Sequence, residues 1–233
     1  MTNTILHRLN DVREKIAFSC QKVGRKIDEV QIIAVTKGVD VEPIREAIAA
    51  GLTLFGENRL QEAEKKITAL KNEKVQWHFI GRLQTNKIRK VIEYFQCIHS
   101  LDREMHAHDL EKYLHFREIG SFPILIQVNL TGKPTQGGIS EENIFSLLEA
   151  IAPLRHFRVI GLMTIGPVGN ENQIRRVFRR LSEIKIKIEA EKFPHVAPVL
   201  ALSMGMSDDY HLAVEEGSTL LRLGRCLFGE RSV

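Results

Sequence analysis

Ile32-Ile33-Ala34-Val35-Thr36-Lys37-Gly38 is the stretch on which the fold turns. Its apolar run has no polar face, the pattern of a parallel strand covered by helices on both sides. It ends in Thr36-Lys37-Gly38, where a doubly wound nucleotide-binding sheet would usually carry Gly-x-Gly-x-x-Gly after its first strand. Outward from it, strand-like runs recur at Thr53–Gly56, Trp77–Ile80, Cys97–Leu101, Ile124–Leu130, Val159–Ile165, Val199–Ser203 and Leu220–Gly224. Helical patterns fall between and after them, near Glu42–Ala50, Arg59–Leu70, Thr85–Tyr94, Arg103–Phe116, Glu141–Ala152, Glu171–Lys192 and Asp208–Glu216. Eight alternations in 233 residues imply an α/β fold, a single (β/α)8 TIM barrel occupying 1–233 as one domain, with the doubly wound sheet as the alternative.

Met1 to Val23 reads as an extra amphipathic helix, with Ile5, Leu9, Val12, Ile16 and Val23 on one face, and not as a signal sequence. No apolar run approaches membrane-spanning length. Cys20, Cys97 and Cys226 are far apart, with no Cys-x-x-Cys and no histidine at metal-ligand spacing, so a reducing, cytoplasmic setting and no metal are expected. The net charge of +4 is too small to argue for nucleic acid. The densest basic cluster, Arg175, Arg176, Arg179 and Arg180, lies opposite an apolar stripe of Val177, Leu181, Ile184 and Ile188, which makes it the wet face of a helix.

In such a barrel the loops after the seventh and eighth strands commonly hold phosphate. Ser203-Met204-Gly205-Met206-Ser207 and Arg222-Leu223-Gly224 fall there, with glycines for close backbone approach and Arg222 for charge. Spacing alone equally allows ordinary turns with Ser207 as a helix cap. Lys37 ends the first strand and points into the same mouth. A lysine there is most often a solvated surface group, but one held among apolar walls and cations becomes a nucleophile toward an aldehyde. Opposite a phosphate clamp it suggests a phosphorylated aldehyde, either a sugar phosphate or pyridoxal 5′-phosphate. Asn58, Ser100, Asn129 and Thr164 also sit at strand ends; Asn58 stands out because its amide hydrogen-bonds a ring oxygen without setting its protonation state. His78 reads as a core histidine more readily than a catalytic one. Gly132–Gly138 lacks Walker spacing and reads as a mobile loop.

These residues resemble the YggS/PROSC family of pyridoxal 5′-phosphate homeostasis proteins over almost the whole chain. The matching segments are Ala34–Lys37, Phe55–Asn58, Trp77–Lys87, Ile98–Ser100, Gly161–Ile165, Ser203–Asp208, Gly217–Thr219, Arg222–Gly224 and Phe228-Gly229. The resemblance implies a pyridoxal-phosphate fold-type III barrel, similar to the N-terminal barrel of alanine racemase, with the cofactor held as a Schiff base on Lys37. Ser203, Ser207, Gly224 and the backbone around Met204 and Gly205 would hold the phosphate, and Arg222 would meet either the phosphate or the pyridine nitrogen. Three positions depart from the family pattern: Arg225 where a small hydroxyl residue is usual, Arg59 where tyrosine is usual, and Gln136 where lysine is usual.

Nine residues follow Gly224, which leaves no room in this sequence for the second domain that usually supplies a racemase's opposing acid or base. The expectation is therefore a monomeric, non-catalytic protein that binds pyridoxal 5′-phosphate reversibly and passes it to apoenzymes, without nucleic-acid or membrane partners. A racemase or related lyase on the same barrel is the alternative.

Overall fold

The computed structural model describes residues 4–133 and 135–230. The chain opens with α1 (Ile5–Lys22), capped by Thr4, whose hydroxyl accepts the His7 N–H at 3.3 Å. Then come β1 (Gln31–Val35), α2 (Val41–Ala49), β2 (Leu54–Glu57), α3 (Leu60–Ala69), β3 (Gln76–Phe79), α4 (Ile88–Tyr94), β4 (Cys97–Leu101), α5 (Glu104–Phe116), β5 (Phe122–Asn129) and the two-residue β6 (Ile139–Ser140). The rest of the chain forms α6 (Ile144–Ile151), β7 (Phe157–Met163), α7 (Glu171–Glu191), β8 (Val196–Ser203), α8 (Tyr210–Glu215), β9 (Leu220–Leu223) and α9 (Arg225–Phe228).

The sheet order β4-β3-β2-β1-β9-β8-β7-β5, with every pairing parallel and β4 also paired to β5, closes the barrel on itself. The fold is thus an eight-stranded parallel (β/α) barrel with an extra N-terminal helix; β6 is a short addition at the edge of β5. The strand runs expected from sequence all form, with ends shifted by up to three residues, and Cys97–Leu101 coincides at both ends. Thr85–Tyr94 and Glu141–Ala152 each begin as a 3-10 turn before continuing as α4 and α6. The α9 turn, absent from the sequence reading, gives the last strand its helix. Positions 1–3 of the expected Met1–Val23 helix lie outside the described residues.

Side chains alternate across each strand, so every second residue faces the barrel axis. Ile33, Leu54, Cys97, Leu125, Met163 and Leu220 form an interior cluster separate from the larger core between sheet and helices. Two residues further along three of these strands the position is polar, with His99 after Cys97, Gln127 after Leu125 and Arg222 after Leu220. A further step reaches Gly224, at the mouth.

Outside, α1 packs on α2, α8 and α9. Arg8 Nε donates to the Leu227 carbonyl at 2.6 Å, and Arg25 Nη1 to the Val214 carbonyl at 2.8 Å. Leu9 on its inner face is fully buried. Leu9→Ala should therefore lower unfolding stability by about 2–5 kcal/mol, read from urea denaturation.

Candidate functional site

At the carboxyl ends of the strands a cleft of about 490 Å³ is lined by Lys37, Asn58, Ser207, Arg222 and Gly224, with Val35, Ile80, Met163, Ile165 and Met206 as apolar walls. Asp208, Arg225 and Glu230 complete its rim. Five of the site residues expected from sequence thus meet in one place. Lys37 is exposed, and among the described residues its amino group makes no hydrogen bond or ion pair. Asn58 Oδ1 is buried without a hydrogen-bond partner among the described residues. Its position depends on Gly81, where a Cβ would stand 2.1 Å from the Asn58 carbonyl oxygen.

The Ser203–Ser207 segment splits between two environments. Ser207 Oγ lies at the cleft and accepts the Gly224 and Cys226 N–H groups at 3.4 and 3.3 Å, leaving its own proton free to donate. Ser203 is fully buried, and its hydroxyl serves Arg222 and His99 inside the barrel; this corrects its expected place at the phosphate. Met204 packs in the hydrophobic core, its carbonyl taking the Ser218 hydroxyl at 2.7 Å. Gly205 turns the loop at φ +94°, against Ala213, where a Cβ would come within 2.6 Å of that methyl. Neither lines the cleft; both shape the loop that brings Ser207 there.

Arg222 forms part of the cleft floor and is held from below. Its Nη1 donates to the Ser203 carbonyl at 2.6 Å and to Ser203 Oγ at 2.8 Å, and Nη2 donates to the Thr164 carbonyl at 2.8 Å. Burial pushes its pKa down to about 10, partly opposed by the Asp209 carboxylate, so it remains a cation at neutral pH. A guanidinium only donates, so Ser203 Oγ accepts from it; the same hydroxyl lies 3.0 Å from His99 Nδ1, and His99 Nε2 lies 2.9 Å from His78 Nδ1, a chain whose direction of donation follows the histidine tautomers. Burial pushes His78 down to about 4 and also holds His99 well below the usual imidazole range, with His78 and Arg222 adding to the effect there.

His99 was not singled out in the sequence, although two histidines at inward positions of neighbouring strands are the signal that would have found it. His78, Cys97 and His99 place their ligand atoms within 4.8 Å of one another, a group that spacing along the chain does not reveal. Thr164 bonds its hydroxyl to the Val128 carbonyl, and the Ser100 hydroxyl is buried without a partner among the described residues.

The departures from the family pattern resolve in physical terms. Arg225 pairs with Asp208 across the rim and lies 3.7 Å from Glu230. Arg59 is exposed beside the N-terminus of α3. Gln136 accepts the Thr131 hydroxyl, and its carbonyl takes Asn129 Nδ2 at 3.0 Å. Gln127 donates to the Gly137 carbonyl at 2.7 Å and Asp102 accepts the Gly138 N–H at 3.3 Å, so residues 136–138 of the expected Gly132–Gly138 loop are bonded to the barrel, while position 134 lies outside the described residues. In the basic cluster Arg175, Arg179 and Arg180 all pair with carboxylates of Glu215, Glu216, Glu141 and Glu183.

Two histidines kept neutral by burial make stability depend on pH. Below about pH 6.5 the unfolded chain binds protons that the folded chain refuses, so stability falls as pH drops toward 4. Each histidine contributes up to about 1.4 kcal/mol per pH unit in that window. His78→Asn keeps an acceptor near the Nδ1 position and removes one titration; denaturant unfolding between pH 7 and 4 should show a shallower slope than the wild type.

The alanine racemase N-terminal domain family matches residues 12–232. A pyridoxal phosphate homeostasis protein of Aquifex aeolicus is 42% identical over 228 residues, covering 96% of this chain and 97% of that one. PipY of Synechococcus elongatus, solved with PLP bound, superposes with a TM-score of 0.85 at 34% identity, covering 97% of this chain and all of PipY. Alanine racemase of Corynebacterium glutamicum shares the fold alone, at 16% identity and a TM-score of 0.64, with this chain spanning 62% of its length. With its closed barrel and a full-length match at this level of identity, the chain belongs to the pyridoxal phosphate homeostasis protein family.

Proposed function

We propose that this protein binds pyridoxal 5′-phosphate reversibly, as a Schiff base on Lys37, and acts as a carrier that buffers the cofactor and passes it to apoenzymes. The observation that carries the reading is the unpartnered Lys37 amine in the same cleft as Arg222, Ser207 and the orphaned Asn58 Oδ1. When bound, the cofactor supplies an aldehyde that condenses with a free amine, releasing water, and a pyridine ring able to take up negative charge.

The residues present fit that group. Ser207 Oγ, oriented by the Gly224 and Cys226 N–H groups that donate to it, offers a hydroxyl donor for a phosphate at one end of the cleft. Lys37 offers the amine, and Asn58 Oδ1 an acceptor for a ring hydroxyl. Arg222, bound to the Thr164 and Ser203 carbonyls one layer below Gly224, is placed for the pyridine nitrogen better than for the phosphate. A cation there disfavours protonation of that nitrogen and weakens the ring as an electron sink. Among the described residues the titratable side chains lining the cleft are Lys37, Asp208, Arg222, Arg225 and Glu230. Asp208 is paired with Arg225, so an acid or base poised over a substrate carbon has no candidate among these groups except Lys37 and the rim carboxylate of Glu230. This favours exchange of cofactor over turnover.

The chemistry of the cell compartment agrees. The three cysteines are unpaired, and no helix among the described residues is long and apolar enough to cross a membrane. A cytoplasmic monomer remains part of the same proposal.

Incubation with pyridoxal 5′-phosphate should give a visible absorbance band, and borohydride reduction followed by peptide mapping should place the label on Lys37. Lys37→Ala should lose the band yet retain weaker, phosphate-dependent binding. A protein that takes up no cofactor, or carries the label on another lysine, overturns the assignment. Racemisation or decarboxylation of amino acids by the loaded protein at a useful rate overturns the carrier reading.

A further inference from the structure

Lys37 is flanked by two peptide groups, and α3 holds both. The Thr36 carbonyl accepts Lys66 Nζ at 2.6 Å, and the Gly38 N–H donates to Glu62 Oε1. Lys66 and Glu62 stand four residues apart on one face of α3, and their side chains meet at 2.6 Å. Lys66 Nζ also donates to Glu57 Oε1 at 2.7 Å, and that oxygen accepts the Thr36 hydroxyl at 2.6 Å. Lys66 is buried and Glu57 fully so; Glu57 directly precedes Asn58 in the cleft.

The orientations of these two peptide planes set φ and ψ of Lys37, and with them the direction in which its side chain leaves the backbone. Gly38 sits at φ +65° in a turn that the Val39 N–H closes by donating to the Thr36 carbonyl at 2.9 Å, and the α3 contacts brace that turn from outside. We infer that Lys66 and Glu62 are positioning residues for Lys37, clamping its two peptide groups so that its amine is aimed into the cleft. This rests on the reading that Lys37 carries the cofactor aldehyde. Lys66 itself, enclosed by the Thr36 carbonyl and two carboxylates, is unavailable to an aldehyde.

Burial pushes the Glu57 carboxyl up, against the pull of Lys66 and Thr36, while its Oε2 is buried without a partner among the described residues. Removing Lys66 alone would therefore leave a costly unpaired group. Glu62, partly exposed, is the safer position to change.

The test compares Glu62→Ala with Glu62→Gln, whose amide oxygen still accepts from Gly38 and Lys66, and with the paired change Glu57→Gln/Lys66→Met. Three quantities are measured: the rate at which Lys37 becomes borohydride-trappable with pyridoxal 5′-phosphate, the affinity for pyridoxamine phosphate, which has no aldehyde, and hydrogen exchange of the Gly38 amide in the cofactor-free protein. Glu62→Ala should slow trapping about ten- to a hundredfold, expose the Gly38 amide and leave pyridoxamine phosphate affinity within about twofold, and Glu62→Gln should restore the rate. Trapping at the wild-type rate overturns the proposal, as does a proportional loss of pyridoxamine phosphate affinity, which would mark a general structural role. Should Glu62→Ala not fold, the paired change carries the same three readouts and the same criteria. A wild-type protein that never traps at Lys37 fails the proposed function instead, while Gly38 exchange still reports whether the clamp exists.

Discussion

Burying the Arg222 guanidinium inside a closed barrel costs several kcal/mol unless its protons are met, and the surrounding strands meet them. Two carbonyls come from the ends of β7 and β8, and the Ser203 oxygen accepts the Thr164 N–H at 3.1 Å as well as the guanidinium. Ser203 supplies a third acceptor and links the guanidinium to His99 and, through it, to His78. The apolar layer beneath, with Leu220 and Leu54, keeps water away from this array and strengthens it. The cleft above inherits a fixed cation as its floor.

Around that floor the same few strand ends treat their two lysines in opposite ways. Lys66 is enclosed by three oxygens, whereas Lys37 has none among the described residues. The contrast follows from topology. Lys66 comes from α3 outside the barrel and reaches the strand ends from behind, where Thr36 and Glu57 present oxygens; Lys37 continues β1 and emerges at the mouth. Only the second arrangement leaves an amine facing a cavity of ligand size.

How much of this could be read from the chain depends on whether a feature is periodic or assembled. The two-sided apolar run Ile32–Val35 and its seven successors announced the barrel, because parallel strands under helices carry their burial in consecutive residues. Lys37, Asn58, Ser207, Arg222 and Gly224 were legible as polar or glycine residues at strand ends, which topology sends to one mouth. Ser203 misled because a serine next to a glycine turn looks like a phosphate ligand, while strand parity turns it inward. The His78–His99 link and the Lys66 clamp were not legible, since each joins residues of different elements by side-chain reach alone. The hydrogen bonds that Asp102, Gln127 and Asn129 make to residues 136–138 were likewise not legible, since their partners lie on other elements or are reached by side chains.

The histidine chain also bears on what the site is able to do. A base must offer an unshared lone pair near the reacting atom, and His99 Nδ1, His99 Nε2 and His78 Nδ1 are all engaged in hydrogen bonds with one another or with Ser203. Placing another proton on His78 Nδ1 would break its hydrogen bond with His99 Nε2 and create an imidazolium close to a buried cation. Burial already disfavours protonated imidazole at both positions. The array therefore stabilises one charge state of Arg222 and resists proton traffic. That property suits a site that must hold an electrophilic ring without activating it, and it would have to be dismantled before the same barrel could run a racemisation through these residues.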